Sequence, residues 1–154
     1  GGAERVATGL CNFWRARGLD VSIATFEAKE SRSYYPLSPG VAVHRLGAAA
    51  ARAPIAEAVL QTIARIDALS ALIRRERPAV VISFLTKINV ITLLAAPKGV
   101  PVIISERNNP QRQGFNLFWR AARAATFSKA AAFVAMTQGA IDAYPARLRP
   151  RAAV

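Results

Sequence analysis

The chain has 154 residues, 53% of them apolar, which is enough for one domain with a substantial core and argues against a disordered chain. Its 21 Lys and Arg against 9 Asp and Glu leave a net charge of +12, so an anionic partner is expected: a nucleic acid, an anionic membrane face or a phosphorylated substrate. A single cysteine excludes an internal disulfide or a cysteine metal site, and no apolar run approaches the roughly 18 to 20 residues of a membrane-spanning helix.

The chain opens on Gly1 and Gly2, followed by Ala3, Val6, Ala7, Leu10 and Trp14 at helical spacing. Glu4, Arg5, Thr8, Asn12 and Arg15 form the other face, and Gly18 closes the helix. Cys11 falls inside this helix as a packing residue, in keeping with a reducing compartment. "DVSIATF" reads as a mostly buried strand, "ESRSYYPLSPG" as a loop and "VAVHRL" as a second strand. His44, the only histidine, lies in that strand with no nucleophile or carboxylate arranged around it, and is read as structural.

A long helix is expected from Pro54 to Glu76, with Ile55, Val59, Ile63, Ile66, Leu69 and Ile73 along one side. "RPAVVISFL" then reads as a near-continuous apolar strand, as in a parallel sheet covered on both faces. "TKINVITLLAAPKG" is a short helix, "VPVIISERNNP" a buried strand running into a polar loop, and Gly114 to Lys129 another helix. "AAFVAMT" is the last expected strand, followed by a helix from Gln138 that Pro145 ends. This alternation predicts an α/β fold with a doubly wound, mostly parallel Rossmann-like sheet and functional loops at the carboxyl ends of the strands. A doubly wound sheet whose first element is a helix is expected to have lost its opening strand.

Four places along the chain carry polar groups suited to chemistry. Gly1 and Gly2, between a strand and a helix, would let backbone N–H groups approach a phosphate; a plain tight turn explains them equally well. In "SERNNP", Ser105, Glu106, Arg107 and Asn108 follow a hydrophobic strand and are poor core material, so they are expected in a solvent-facing cleft. There Arg107 offers a planar fork to a diphosphate or carboxylate, and Glu106 and Asn108 suit sugar hydroxyls. Ser83, Thr86, Lys87 and Asn89 stand at the next strand end, and Thr137 and Gln138 at the last. Helix capping by Thr86 and Thr137 is the competing explanation there. No carboxylate pair has hydrolase spacing and no His, Cys and Asp cluster has metal-ligand spacing.

"GGAERVATGL", "GLDVSIATF", "RPAVVISFLTKINVITLLAA", "GVPVIISERNNP" and "FVAMTQGAIDAYP" together resemble the amino-terminal domain of family 4 glycosyltransferases with the GT-B fold. The "SERN" loop is most similar to the bacterial branch acting on envelope and capsule glycans. The resemblance implies a two-domain enzyme, retaining and metal-independent, with no cofactor. Its amino domain would hold a polyprenyl-diphosphate-linked saccharide or glycan acceptor, and a separate carboxyl-terminal domain a nucleotide sugar. It implies that Gly1 and Gly2 face the donor diphosphate, and that Glu106 takes the catalytic-centre place where many relatives have a histidine. Thr86, Lys87, Asn89, Ser105, Arg107, Asn108, Thr137 and Gln138 would line the acceptor side. Two glutamates separated by seven residues, which relatives carry in the carboxyl domain, are missing here, so the chain alone is expected not to transfer sugar. The implied setting is cytoplasmic, peripheral on the anionic inner face of the cell membrane. A basic nucleic-acid-binding module and a non-catalytic regulatory α/β domain are the alternatives. The arginines are scattered over several helices without an interleaved aromatic signature, which argues against nucleic acid.

Overall fold

The computed structural model describes residues 1–28, 30–31, 33–47, 54–107 and 114–154. The chain divides into two compact units, Gly1–Ala68 and Leu69–Val154.

In the first unit, helix α1 (Gly2–Arg15) buries Thr8 and Cys11. Asn12, expected on the outward face, instead ties down the following loop. Its amide donates to the Pro36 carbonyl at 3.0 Å, and its oxygen accepts from the Ser38 N–H at 2.7 Å. Gly18 (φ +80) ends the helical segment as expected. Gly40 (φ +87) is needed for a second reason: a Cβ there would meet Arg15 Nε at 2.7 Å. Strands β1 (Ser22–Thr25) and β2 (Ala42–Arg45) pair in parallel, Ser22 opposite Ala42 and Thr25 opposite Arg45. Strand β1, expected to be mostly buried, instead alternates between exposed and half-buried positions, and β2 is half-buried after Ala42. His44 lies half-buried in β2. Helix α2 (Ile55–Glu76) matches the expected span and runs across the boundary between the units, burying Leu69, Leu72 and Ile73 near its end.

The second unit alternates strictly between strand and helix. Strand β3 (Val81–Phe84) leads into α3 (Thr86–Ala95), β4 (Val102–Glu106) is followed by α4 (Leu117–Thr126), and a 3-10 turn at Phe127–Lys129 leads to β5 (Ala132–Ala135). Helix α5 (Gln138–Asp142), a second 3-10 segment (Ala146–Arg151) and the two-residue β6 (Ala152–Ala153) complete it. The four strands pair in parallel in the order β3-β4-β5-β6. Pairing is therefore parallel in both units, consistent with a Rossmann-like domain, although the described strands form two sheets instead of the single sheet expected.

Val90 and Leu93 of α3, Val102 and Ile104 of β4, and Phe133 of β5 form the core of the second unit with Phe127, Ile141 and Tyr144. The three aromatic rings pack together, Phe133 and Tyr144 edge to face with centroids 4.7 Å apart and Phe127 stacked 6.1 Å from Tyr144. Aromatic packing of this kind adds to the burial of large apolar area, so Phe133→Ala would cost about 3–5 kcal/mol.

Candidate functional site

Parallel strands all end at the same edge, so β3, β4 and β5 deliver their carboxyl-end residues together. At the end of β3 the chain turns sharply through Leu85, whose φ of +74 is strained for a residue with a side chain. Its N–H still donates to the Ser105 carbonyl at 3.1 Å, extending the β3–β4 pairing by one step. Helix α3 therefore starts at once, with Thr86 as its first residue and Leu85 as its cap, so Thr86 is not the cap that its position suggested.

Thr86 and Asn89, one turn apart on α3, both point at Glu106 at the end of β4. The Thr86 hydroxyl donates to Glu106 Oε2 at 2.7 Å, and Asn89 Nδ2 donates to Glu106 Oε1 at 2.7 Å. Asn89 Nδ2 also donates to the Ser105 carbonyl at 3.2 Å, while Asn89 Oδ1 accepts from the Ser83 hydroxyl at 2.7 Å. Both Asn89 amide hydrogens and its oxygen are thus engaged, and each carboxylate oxygen accepts at least one hydrogen bond. Glu106 is 1% exposed and Asn89 0%. The expectation that Ser105 and Glu106 face solvent is corrected here: both are buried, because α3 supplies the partners that polar core groups require.

Burial pushes the Glu106 carboxyl above the ordinary carboxylate range. The Thr86 and Asn89 hydrogen bonds, the nearby Tyr144 hydroxyl and the Arg123 guanidinium offset this only in part. Tyr144 Oη is buried and faces this carboxylate, but falls short of hydrogen-bond geometry with any described group. Burial first, then the Glu106 charge, drives the Tyr144 hydroxyl far above its ordinary value. Arg123 stands 5.5 Å from the Tyr144 ring centroid. The sequence reading missed Tyr144 and Arg123; a polar-tipped aromatic just before Pro145 was the one signal for the first.

The remaining rim residues are more open. Lys87 is exposed, with Nζ 5.4 Å from the Trp119 ring centroid, and Arg107 is half-buried. Thr137 caps α5, accepting from the Ala140 N–H at 3.2 Å, and Gln138 donates to Asp142 at 3.1 Å; both are exposed. Asn108 lies outside the described residues. In the first unit, Gly1 precedes α1 and Gly2 begins it, with nothing within 4 Å of the position that a Cβ would take at either glycine. Gly1, the N-cap of α1, has no side chain to offer the first-turn N–H groups, and Glu4 Oε2 accepts from the Gly1 nitrogen at 2.9 Å.

Among the described residues no group of three His, Cys, Asp or Glu could hold a metal ion, and no helix is long and apolar enough to cross a membrane. A family model described as a glycosyl transferase 4-like domain matches the chain over residues 1–154. No curated protein matches it significantly.

Proposed function

The chain belongs to the family of glycosyl transferase 4-like domains, and on that footing we propose that it is the acceptor-binding half of a retaining, metal-independent glycosyltransferase. In this proposal the enzyme moves a sugar from a nucleotide sugar to a polyprenyl-diphosphate-linked saccharide or glycan. It works at the cytoplasmic face of a bacterial inner membrane, with a carboxyl-terminal domain holding the donor.

The observation that carries the reading is the gathering of Thr86, Lys87, Ser105, Glu106, Arg107, Thr137 and Gln138 at the carboxyl edge of one parallel sheet. That edge is where open α/β sheets bind ligands. When the acceptor hydroxyl attacks from the face the diphosphate leaves, the protein's main tasks are to place that hydroxyl and to stabilise the departing charge. Exposed Lys87 and half-buried Arg107 suit the anionic acceptor diphosphate, as Thr137 and Gln138 suit its sugar hydroxyls. Asn108 belongs to the same side in this reading. Glu106, closed off from solvent, acts by fixing the first turn of α3 through Thr86 and Asn89 rather than by touching sugar. Gly1 and Gly2, at the amino end of α1, take the donor diphosphate in this reading, where backbone N–H groups can approach it.

The test is transfer of radiolabelled sugar by the enzyme that carries this chain. Lys87→Ala and Arg107→Ala are expected to raise KM for the acceptor by roughly tenfold each, as loss of a charge-assisted hydrogen bond does, with donor KM little changed. A rise in donor KM alone would overturn the assignment. The 154 residues by themselves are expected to give no turnover.

A further inference from the structure

Helix α4 carries apolar residues on both of its sides. Toward the protein it turns Trp119, Ala122 and buried Thr126. Leu117, Phe118, Ala121 and Ala125 are exposed, Leu117 to 78% and Phe118 to 55%. At about 100° per residue these four span an arc of about 100°, and exposed Arg120 flanks it about 60° from Leu117. Two adjacent large apolar side chains in water mark a contact surface rather than ordinary solvent-facing helix.

The charge around them says what the contact is. Residues 69–154 hold thirteen Lys and Arg against three Asp and Glu, a net +10, and one of the three acids is the buried Glu106. An apolar stripe edged by arginine on a strongly basic unit is what a helix lying in the headgroup region of an anionic bilayer presents. The stripe also adjoins the candidate site. The Lys87 contact with Trp119 brings the first turn of α3 beside the start of α4.

We infer that the outward face of α4 docks on an anionic bilayer, with Leu117 and Phe118 entering the headgroup boundary and Arg120 meeting lipid phosphates. The inference rests on the membrane reading proposed above and assigns it to a surface. It would hold the rim of the sheet at the depth where a lipid-linked diphosphate is presented.

Sedimentation of the full chain with phosphatidylcholine vesicles, with and without phosphatidylglycerol, tests it. Binding is expected only with phosphatidylglycerol. The paired Leu117→Ser and Phe118→Ser change is expected to weaken it by roughly tenfold or more, and Arg120→Gln by a few-fold. Both altered apolar side chains are exposed, so far-UV circular dichroism and the thermal midpoint should be little changed. Binding by the paired variant equal to wild type would overturn the α4 surface while leaving the membrane reading intact. No binding by wild type would overturn both. A change of oligomeric state in light scattering, with vesicle binding retained, would give the face to a protein partner instead.

Discussion

Asn89 Nδ2 lies 2.7 Å from Glu106 Oε1, and this one contact joins the first turns of α3 to the carboxyl end of β4 in the interior of the protein. Asn89 also receives the Ser83 hydroxyl, so its loss takes a partner from both Ser83 and Glu106, while the Ser105 carbonyl keeps the Leu85 N–H. Asn89→Ala is expected to cost about 2–4 kcal/mol in urea unfolding, and Glu106→Ala a similar amount. Glu106→Gln, which keeps one acceptor for Asn89 and can donate to the Thr86 oxygen, should cost about 1 kcal/mol. Equal losses for Gln and Ala would mean that the side chain's volume, not its hydrogen bonds, holds α3.

The raised Glu106 pKa carries a signed pH dependence. A carboxyl whose folded pKa lies above its unfolded value binds protons more readily in the native state. Its contribution to stability is therefore fully present below the ordinary value of 4.5 and is lost as pH rises through the folded pKa. Measured against Glu106→Gln, wild type should lose relative stability on going from mild acid toward neutrality. A difference that stays flat, or grows with pH, would show the carboxylate to be fully compensated by its donors.

Tyr144 offers a complementary test. Its hydroxyl is buried without a full hydrogen bond, so Tyr144→Phe removes an uncompensated polar group while keeping the ring packed on Phe127 and Phe133. Stability should change by less than about 1 kcal/mol, in either direction. The same substitution removes a group that lowers the Glu106 pKa, so the pH-dependent loss should extend to higher pH. A destabilisation of about 2 kcal/mol or more would reveal a stronger Tyr144–Glu106 bond than the geometry describes.

Two glycines of the first unit separate backbone strain from crowding. Gly18 and Gly40 share a positive φ, but only Gly40 has a neighbour, Arg15, where a Cβ would go. Gly18→Ala should cost about 1 kcal/mol, and Gly40→Ala more, since Arg15 must also move from its place beside the loop. Equal costs in thermal melts would mean that the Arg15 side chain yields freely.

Much of this was legible from pattern alone. Apolar runs bounded by Pro, Gly and polar residues located α2, β3, β4 and β5 closely, and the strand-end rule brought Thr86, Asn89, Ser105 and Glu106 to one edge. Their burial was not legible, because a rim rule fixes where a residue stands and not where its side chain points. Thr86 and Asn89, read as facing a ligand, face Glu106 instead. Tyr144 and Arg123 come from other elements, and periodicity carries no information about such meetings. The strand at Ala152–Ala153 escaped because two alanines give no β signal; partnering with β5 makes it a strand.

Whether this chain receives the acceptor can be read from calorimetric binding of the isolated chain to two ligands in turn. These are a detergent-solubilised polyprenyl-diphosphate-linked saccharide and a nucleotide sugar. An acceptor-binding chain should bind the lipid-linked saccharide saturably, with binding weakened by Lys87→Ala and Arg107→Ala, and the nucleotide sugar much more weakly. Tight nucleotide-sugar binding with no affinity for the acceptor would contradict this assignment.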